Sequence, residues 1–136
     1  MLFALVFTVG ALIAWGFFGS KYALELTNYV LSSPKLTAPI RVVQLTDLHN
    51  SEFGENNERL VRMVSQQHPD LILMTGDMLN GREDETEIAV NLVRELTEIA
   101  PVYFSYGNHE VTQEQVFARD LTALFEEAGA TVLNRT

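Results

Sequence analysis

The chain has 136 residues, enough for one small domain, and it contains no cysteine. Disulfide bonds and zinc–thiolate sites are therefore excluded. With 18 acidic and 9 basic residues the net charge is −9, and because such a surface repels a phosphate backbone, we expect no nucleic-acid partner.

Residues 1–20 are uncharged and almost wholly apolar. A bilayer core needs about 17–25 such residues in a helix, so we predict a transmembrane signal-anchor helix and a single-pass cell-membrane protein. A cleaved signal peptide is the alternative, although no Lys or Arg follows Met1 and no clear small-x-small site precedes Lys21. A buried core helix is disfavoured because the stretch has no polar face. Two lysines, Lys21 and Lys35, leave the side of the membrane undecided.

A connector follows at residues 21–39, and its prolines discourage a continuous helix into the next domain. The globular part is predicted at residues 40–136. Apolar runs rich in β-branched residues predict buried strands at Arg41–Thr46, Asp70–Thr75 and Val102–Tyr106, and a fourth strand opens at Thr131–Leu133. Apolar residues at helical spacing predict helices at Asn57–Gln67, Glu85–Glu98 and Gln113–Ala128. The order predicts an α/β domain.

Each of the first three strands ends in a short group of metal-binding side chains. These groups are Asp47-Leu48-His49, Gly76-Asp77 and Gly107-Asn108-His109-Glu110. In a parallel sheet the strands' carboxyl ends share one edge, where ligands bind, so the groups should converge. Carboxylate oxygens and an imidazole nitrogen suit iron, zinc or manganese better than calcium. Asp77 could bridge two ions, and two ions about 3.5–4 Å apart can clamp a phosphoryl group.

This ordered series of motifs resembles the N-terminal half of the calcineurin-like metallophosphoesterases, and the segment from Asp47 to Asn57 looks most like their membrane-associated bacterial branch. The resemblance implies a hydrolase that cleaves phosphomonoesters or phosphodiesters with two divalent ions, drawn from manganese, iron and zinc. A hydroxide activated by both metals would attack phosphorus in line. The implied fold is α/β, with strand-helix-strand units forming roughly half of a β-sandwich with flanking helices, preceded by the transmembrane helix.

The family's functional residues carry over onto matching positions. Asp47 and His49 would ligate the first metal. Asp77 would bridge both metals, and Asn108 would ligate the second. His109 would bind no metal. As the catalytic residue it would lie beside the substrate phosphate, stabilising the transition state or protonating the leaving oxygen.

Two departures from the family pattern limit what the resemblance implies. The family often has Gly-Asp-x-x-Asp, whose last Asp can support the catalytic histidine; here Asn80 is expected to be a weaker, uncharged partner for His109. The neighbouring Arg82 is better read as a solvated loop residue than as a phosphate contact.

The second departure concerns ligands. The family's C-terminal half supplies a further histidine and a Gly-His-x-His motif, whereas the remaining histidine here, His68, precedes a proline and is expected to be structural. We therefore expect the N-terminal portion only, with each metal underfilled. The alternative is a truncated, catalytically inactive membrane-anchored α/β protein of the same family. A lipid-linked phosphoester is an attractive substrate through proximity to the membrane.

Overall fold

The computed structural model describes Gly10 and residues 23–133, in a chain that divides into two compact units, Met1–Ser32 and Ser33–Thr136. In the first unit, residues 23–32 form neither helix nor strand. Within the part of the chain that is described, no helix has the length and apolar character needed to cross a bilayer. The predicted anchor at residues 1–20 lies outside the described residues except for Gly10.

The second unit is a parallel α/β domain. Its strands are β1 (Val42–Leu45), β2 (Leu71–Thr75), β3 (Val102–Ser105) and β4 (Thr131–Val132). Its helices are α1 (Glu58–Ser65), preceded by a 3-10 turn at Glu55–Asn57, then α2 (Glu87–Thr97), α3 (Asn108–Phe117) and α4 (Leu121–Glu127). The four strands pair in parallel and in sequential order, β1-β2-β3-β4. The predicted α/β class and the predicted parallel sheet are confirmed.

One face of the sheet is buried and the other is half open. Ile72 and Met74 on β2 are fully buried, as are Val102 and Phe104 on β3, whereas the residues that alternate with them keep part of their surface. Right-handed crossovers taken in sequential order place the connecting helices on the same face of a sheet. The core therefore lies between that face and the helices.

The first strand is less buried than the sequence suggests. Val42 is 44% exposed, and no residue of β1 is fully buried. Its β-branched composition predicts a buried strand, but β1 lies at the edge of the sheet and pairs only with β2 among the described strands. Edge position, which composition does not reveal, accounts for the exposure.

The third predicted helix is wrong in its bounds and in its continuity. Instead of one helix from Gln113 to Ala128, α3 begins at Asn108 and ends at Phe117, and α4 begins at Leu121. Ala118 adopts a left-handed conformation (φ 50°) that ends α3, and the Asp120 side chain accepts the Ala123 N–H to begin α4. Val116, near the end of α3, is 61% exposed.

Candidate metal centre

The segments that follow β1, β2 and β3 lie along one edge of the sheet, because the three strands are parallel. We call this edge, formed by residues 46–50, 76–81 and 106–110, the carboxyl rim. It contains every residue that the sequence assigns to the metal site. Strand polarity therefore brings together segments separated by about thirty residues each.

The backbone of the carboxyl rim is strained at the candidate ligands themselves. Asp47, His49 and Asp77 all have left-handed conformations, with φ values of 57°, 48° and 55°. Such a conformation costs on the order of 1–3 kcal/mol at a residue other than glycine and is concentrated at functional sites. Asp, Asn and His tolerate it better than most residues, which fits the residue types found here.

Backbone hydrogen bonds hold the first two rim segments side by side beyond the ends of their strands. The Asp47 N–H donates to the Gly76 carbonyl at 3.2 Å, and the His49 N–H donates to the Asp77 carbonyl at 3.0 Å. A third bond joins the Asn50 N–H to the Met78 carbonyl at 2.9 Å. The relative positions of Asp47, His49 and Asp77 are thus set by main chain.

Three side chains of the carboxyl rim converge closely enough to share a metal ion. One donor atom from each of Asp47, His49 and Asp77 lies within 4.8 Å of the other two, and His49 Nε2 is 3.7 Å from Asp47 Oδ1. The side chains of His49 and Asp47 are 39% and 60% exposed, so the cluster opens to solvent. An ion and a substrate could reach it without a conformational change.

The charges and donor types of this cluster fit a divalent cation. Neither Asp47 nor Asp77 pairs with a Lys or Arg among the described residues. Two carboxylates held close together without a positive partner repel each other, and a bound cation would remove that cost. Two carboxylates and an imidazole form a mixed oxygen and nitrogen donor set that suits manganese, iron or zinc.

The second and third rim segments are in backbone contact. A Cβ at Gly107 would overlap the Asp77 carboxylate, and a Cβ at Gly76 would come within 2.5 Å of the Gly107 nitrogen. Gly76 also needs its positive φ of 86°. The Asp77 Oδ1 accepts the His109 N–H at 2.9 Å. Glycine at both positions therefore allows Asp77 to lie against the first turn of α3.

His109 lies beside the cluster, and its ring is oriented by main chain. Its ring packs edge-on against that of His49, with centroids 4.6 Å apart. The Gly81 N–H donates to His109 Nδ1 at 2.9 Å, which leaves the proton of a neutral imidazole on Nε2. Asn80, the partner expected for His109, makes no hydrogen bond with it among the described residues, and its Oδ1 accepts the Arg82 N–H at 3.2 Å.

The two other residues that the sequence singled out take different positions. Asn108 occupies the first position of α3, with an exposed side chain, between Gly107 and His109. His68 is exposed and follows α1. It lies before β2 begins, at the opposite end of that strand from Asp77, in agreement with the structural role expected for it.

Glu110 differs most from its sequence reading. The sequence groups it with metal-binding side chains, but it is fully buried, and its carboxylate accepts three backbone N–H groups. One of these donors is Gly107, the N-terminal capping residue of α3, three residues before Glu110. A glutamate at the third position of a helix commonly accepts the N–H of the capping residue. The three-residue spacing between Gly107 and Glu110 is the sequence feature that could have indicated this capping role.

Together, the parallel α/β sheet and the carboxylate–imidazole cluster at its carboxyl rim define a class of metal-binding domain. Comparison with known proteins identifies the family, because the model of the calcineurin-like phosphoesterases matches residues 40–133. The chain therefore belongs to the calcineurin-like phosphoesterase family, as its motifs predicted.

Two similar proteins come from Bacillus subtilis (strain 168). The chain is 30% identical over 97 residues to the uncharacterized metallophosphoesterase YkoQ, an alignment that covers 69% of this chain and 36% of YkoQ. It is 26% identical over 113 residues to the uncharacterized metallophosphoesterase YkuE, covering 74% of this chain and 40% of YkuE. The chain thus aligns with well under half the length of these relatives. No solved structure gives a significant match.

Proposed function

We propose that this chain carries the N-terminal portion of a two-metal phosphoesterase site, which hydrolyses phosphomonoester or phosphodiester bonds. The observation that carries the proposal is the convergence of Asp47, His49 and Asp77 at the carboxyl rim. Membership of the calcineurin-like phosphoesterase family supports it independently. When bound, two divalent ions would supply an activated water and neutralise charge on the phosphoryl group.

The chain's own residues then take distinct roles. Asp47 and His49 would hold the first ion. Asp77 would hold both; its Oδ1 accepts the His109 N–H, and its other oxygen accepts no hydrogen bond among the described residues. Asn108 would contribute a neutral oxygen to the second ion.

His109 binds no ion in this proposal. The Gly81 N–H occupies its Nδ1, so Nε2 is the nitrogen that donates a hydrogen bond to a phosphoryl or leaving oxygen. In a longer, active form of the protein that carries the remaining metal ligands, we expect His109→Ala to lower turnover far more than metal content. Equal losses of turnover and of metal would make His109 a ligand.

A matched pair of histidines tests the metal site. His49 and His68 have nearly the same left-handed φ, 48° and 49°, but lie at opposite ends of the sheet. We expect the full chain to bind manganese, as measured from the free-Mn²⁺ signal in electron paramagnetic resonance. Residues that only hydrogen-bond to a metal ligand typically contribute about 10- to 100-fold to metal affinity. Because His49 is itself a proposed ligand, His49→Ala should weaken manganese binding by more than roughly tenfold. His68→Ala should leave it unchanged. Absence of binding, or equal weakening by both changes, would refute the proposal.

The number of donors limits what 136 residues can do. Asp47, His49, Asp77 and Asn108, one of them shared, leave each ion with few protein ligands. We therefore expect little manganese-dependent hydrolysis of bis-p-nitrophenyl phosphate by this chain alone. Robust, metal-dependent hydrolysis would show that the four side chains suffice. A catalytically inactive family member, the alternative, would give the same low hydrolysis.

We also propose that residues 1–20 anchor the protein in a membrane and that its substrate is a lipid-linked phosphoester. The support is the length and apolar character of the segment. The test is fractionation of the full chain with and without residues 2–20, after an alkaline carbonate wash. Release of the full chain into the soluble fraction would refute anchoring.

A further inference from the structure

We propose that Glu110 is a positioning residue, which clamps two segments of the carboxyl rim so that Asp77 and His109 are in place before a metal arrives. This inference rests on the proposed function. In that proposed function, Glu110 contacts neither an ion nor the substrate. Its carboxylate acts only through the backbone that it binds.

The clamp consists of three hydrogen bonds from two segments to one carboxylate. Glu110 Oε2 accepts the N–H groups of Asp77 and Gly107, both at 2.8 Å. Its Oε1 accepts the Leu79 N–H at 3.0 Å. Asp77 and Leu79 follow β2, whereas Gly107 follows β3, so the carboxylate links the two strand ends.

Because Glu110 is buried, its carboxylate depends on these hydrogen bonds to replace the water that it has lost. Glu110 is 0% exposed, and a buried carboxylate is tolerated when it is well hydrogen-bonded. Hydrogen bonds from backbone N–H groups to an ionised carboxylate are about twice as strong as neutral ones. Removing the carboxylate would leave three backbone N–H groups without their acceptor, one of them buried and two part-buried. The segments would then have to separate or admit water.

The clamped residues are those that carry the proposed chemistry. Asp77 is bound through its own N–H, and its left-handed conformation (φ 55°) aims its carboxylate toward the first turn of α3. His109 directly precedes Glu110 and is bonded to both Asp77 and Gly81. A shift of the clamp therefore changes the spacing between Asp77 and His109, although neither side chain is altered.

A control on the same helix is provided by Glu114. It is half-buried and also accepts a backbone N–H, that of Leu121 at 3.3 Å, together with the Tyr106 hydroxyl. Its bonds join α3 to Tyr106 and to the start of α4, and none of them reaches the segment after β2. A loss caused only by weakening α3 should therefore affect Glu114→Gln and Glu110→Gln alike.

The first arm of the experiment uses the metal-free full chain. Amide hydrogen exchange by NMR should show the N–H groups of Asp77, Leu79 and Gly107 protected in the wild type. Glu110→Gln must place its NH₂ group against at least one of these donors, so we expect at least one amide to lose protection. Glu114→Gln should leave all three protected.

The second arm is a manganese titration of the same variants. Partners that only support ligands typically contribute 10- to 100-fold to metal affinity. We expect Glu110→Ala to weaken binding by about 100-fold and Glu110→Gln, which keeps one acceptor oxygen, by about tenfold. Glu114→Gln should match the wild type. If Glu110→Ala fails to fold, Glu110→Gln, which keeps the volume and one acceptor, decides the matter.

Two results would overturn the proposal. One is unchanged protection of all three amides in both Glu110 variants. The other is a manganese affinity that falls equally in Glu110→Gln and Glu114→Gln. If the wild type bound no manganese while the amides still lost protection only in the Glu110 variants, the clamp would stand and the proposed function would fall.

Discussion

The two ends of β2 carry the same residue in opposite circumstances. Asp70 precedes the strand, and its carboxylate accepts the Arg41 N–H at 2.7 Å, while the Arg41 guanidinium binds the Gln67 carbonyl. Asp77 follows the strand, and its carboxylate lies within 4.8 Å of donor atoms from Asp47 and His49. One aspartate completes local structure, and the other joins a cluster that lacks a positive partner among the described residues.

The difference shows that strand polarity decides what an aspartate at a strand end does. At the amino end, the Asp70 carboxylate accepts a backbone N–H, that of Arg41. At the carboxyl rim, segments from three parallel strands converge, so their acidic groups meet, and a bound cation would relieve the repulsion between them. Residue type alone does not distinguish the two aspartates.

The largest expected effect comes from exchanging these two aspartates for asparagine. Asp77→Asn removes a charge from the proposed bridging position, and we expect manganese affinity to fall by more than about 100-fold, beyond the range for residues that only support ligands. Asp70→Asn keeps an acceptor for the Arg41 N–H and should not change the affinity. Isothermal titration calorimetry measures the manganese affinity of both variants. Equal affinities would mean that Asp77 contributes no more to metal binding than Asp70 does.

The next effect concerns the contact between rim segments. A Cβ at Gly107 would overlap the Asp77 carboxylate, so Gly107→Ala should lower the free energy of unfolding by about 1–3 kcal/mol, the usual cost of overpacking. Manganese affinity should fall as well, because Asp77 must move. Urea unfolding and a manganese titration measure the two quantities. An unchanged affinity would mean that Asp77 does not need its contact with Gly107.

Tyr106, just beyond β3, gives a prediction about pH. Burial raises the pKa of its phenol above the usual value of 10.0, and acceptance of its hydrogen bond by the Glu114 carboxylate adds to this. The native state thus holds the proton more tightly than the unfolded state, so the stability is fully present below pH 10 and is lost as the pH rises above it.

We expect Tyr106→Phe to lower the free energy of unfolding at pH 8 by about 1 kcal/mol, through the lost hydrogen bonds. Between pH 9 and 11 its stability should fall less steeply than that of the wild type. Urea unfolding at several pH values checks both. Parallel pH profiles for the two proteins would show that the Tyr106 proton is not the cause.

The smallest expected effect separates strain at the rim from strain elsewhere. Ala118 ends α3 in a left-handed conformation, which glycine adopts without the steric cost that a Cβ incurs. Ala118→Gly should therefore raise the free energy of unfolding by about 0.5–1 kcal/mol, with glycine's larger entropy loss offsetting part of the gain. Thermal and urea unfolding measure it, and manganese affinity should not change. A loss of affinity would connect the α3–α4 break to the metal site.

The strand pattern and the polar groups at the strand ends were predictable because they depend on local composition. The runs around Ile72 and Phe104 are buried strands, and the chain order of the motifs placed Asp47, His49 and Asp77 together. The helix break at Ala118 was not predictable, because apolar spacing continues across it. The partners of His109 were not predictable either, since Gly81 and Asp77 precede it by 28 and 32 residues.

The amino-acid sequence by itself determined the family, the parallel α/β class and the residue types available for a metal, because these follow from periodicity and from motif order. Only the tertiary structure decided which acidic groups face one another and which are buried as scaffold. Glu110 and Asp77 are both carboxylates beside a strand end, yet one is enclosed by backbone N–H groups and the other lies within the ligand cluster. That outcome depends on hydrogen bonds between segments distant in the chain, which form only when the strands align.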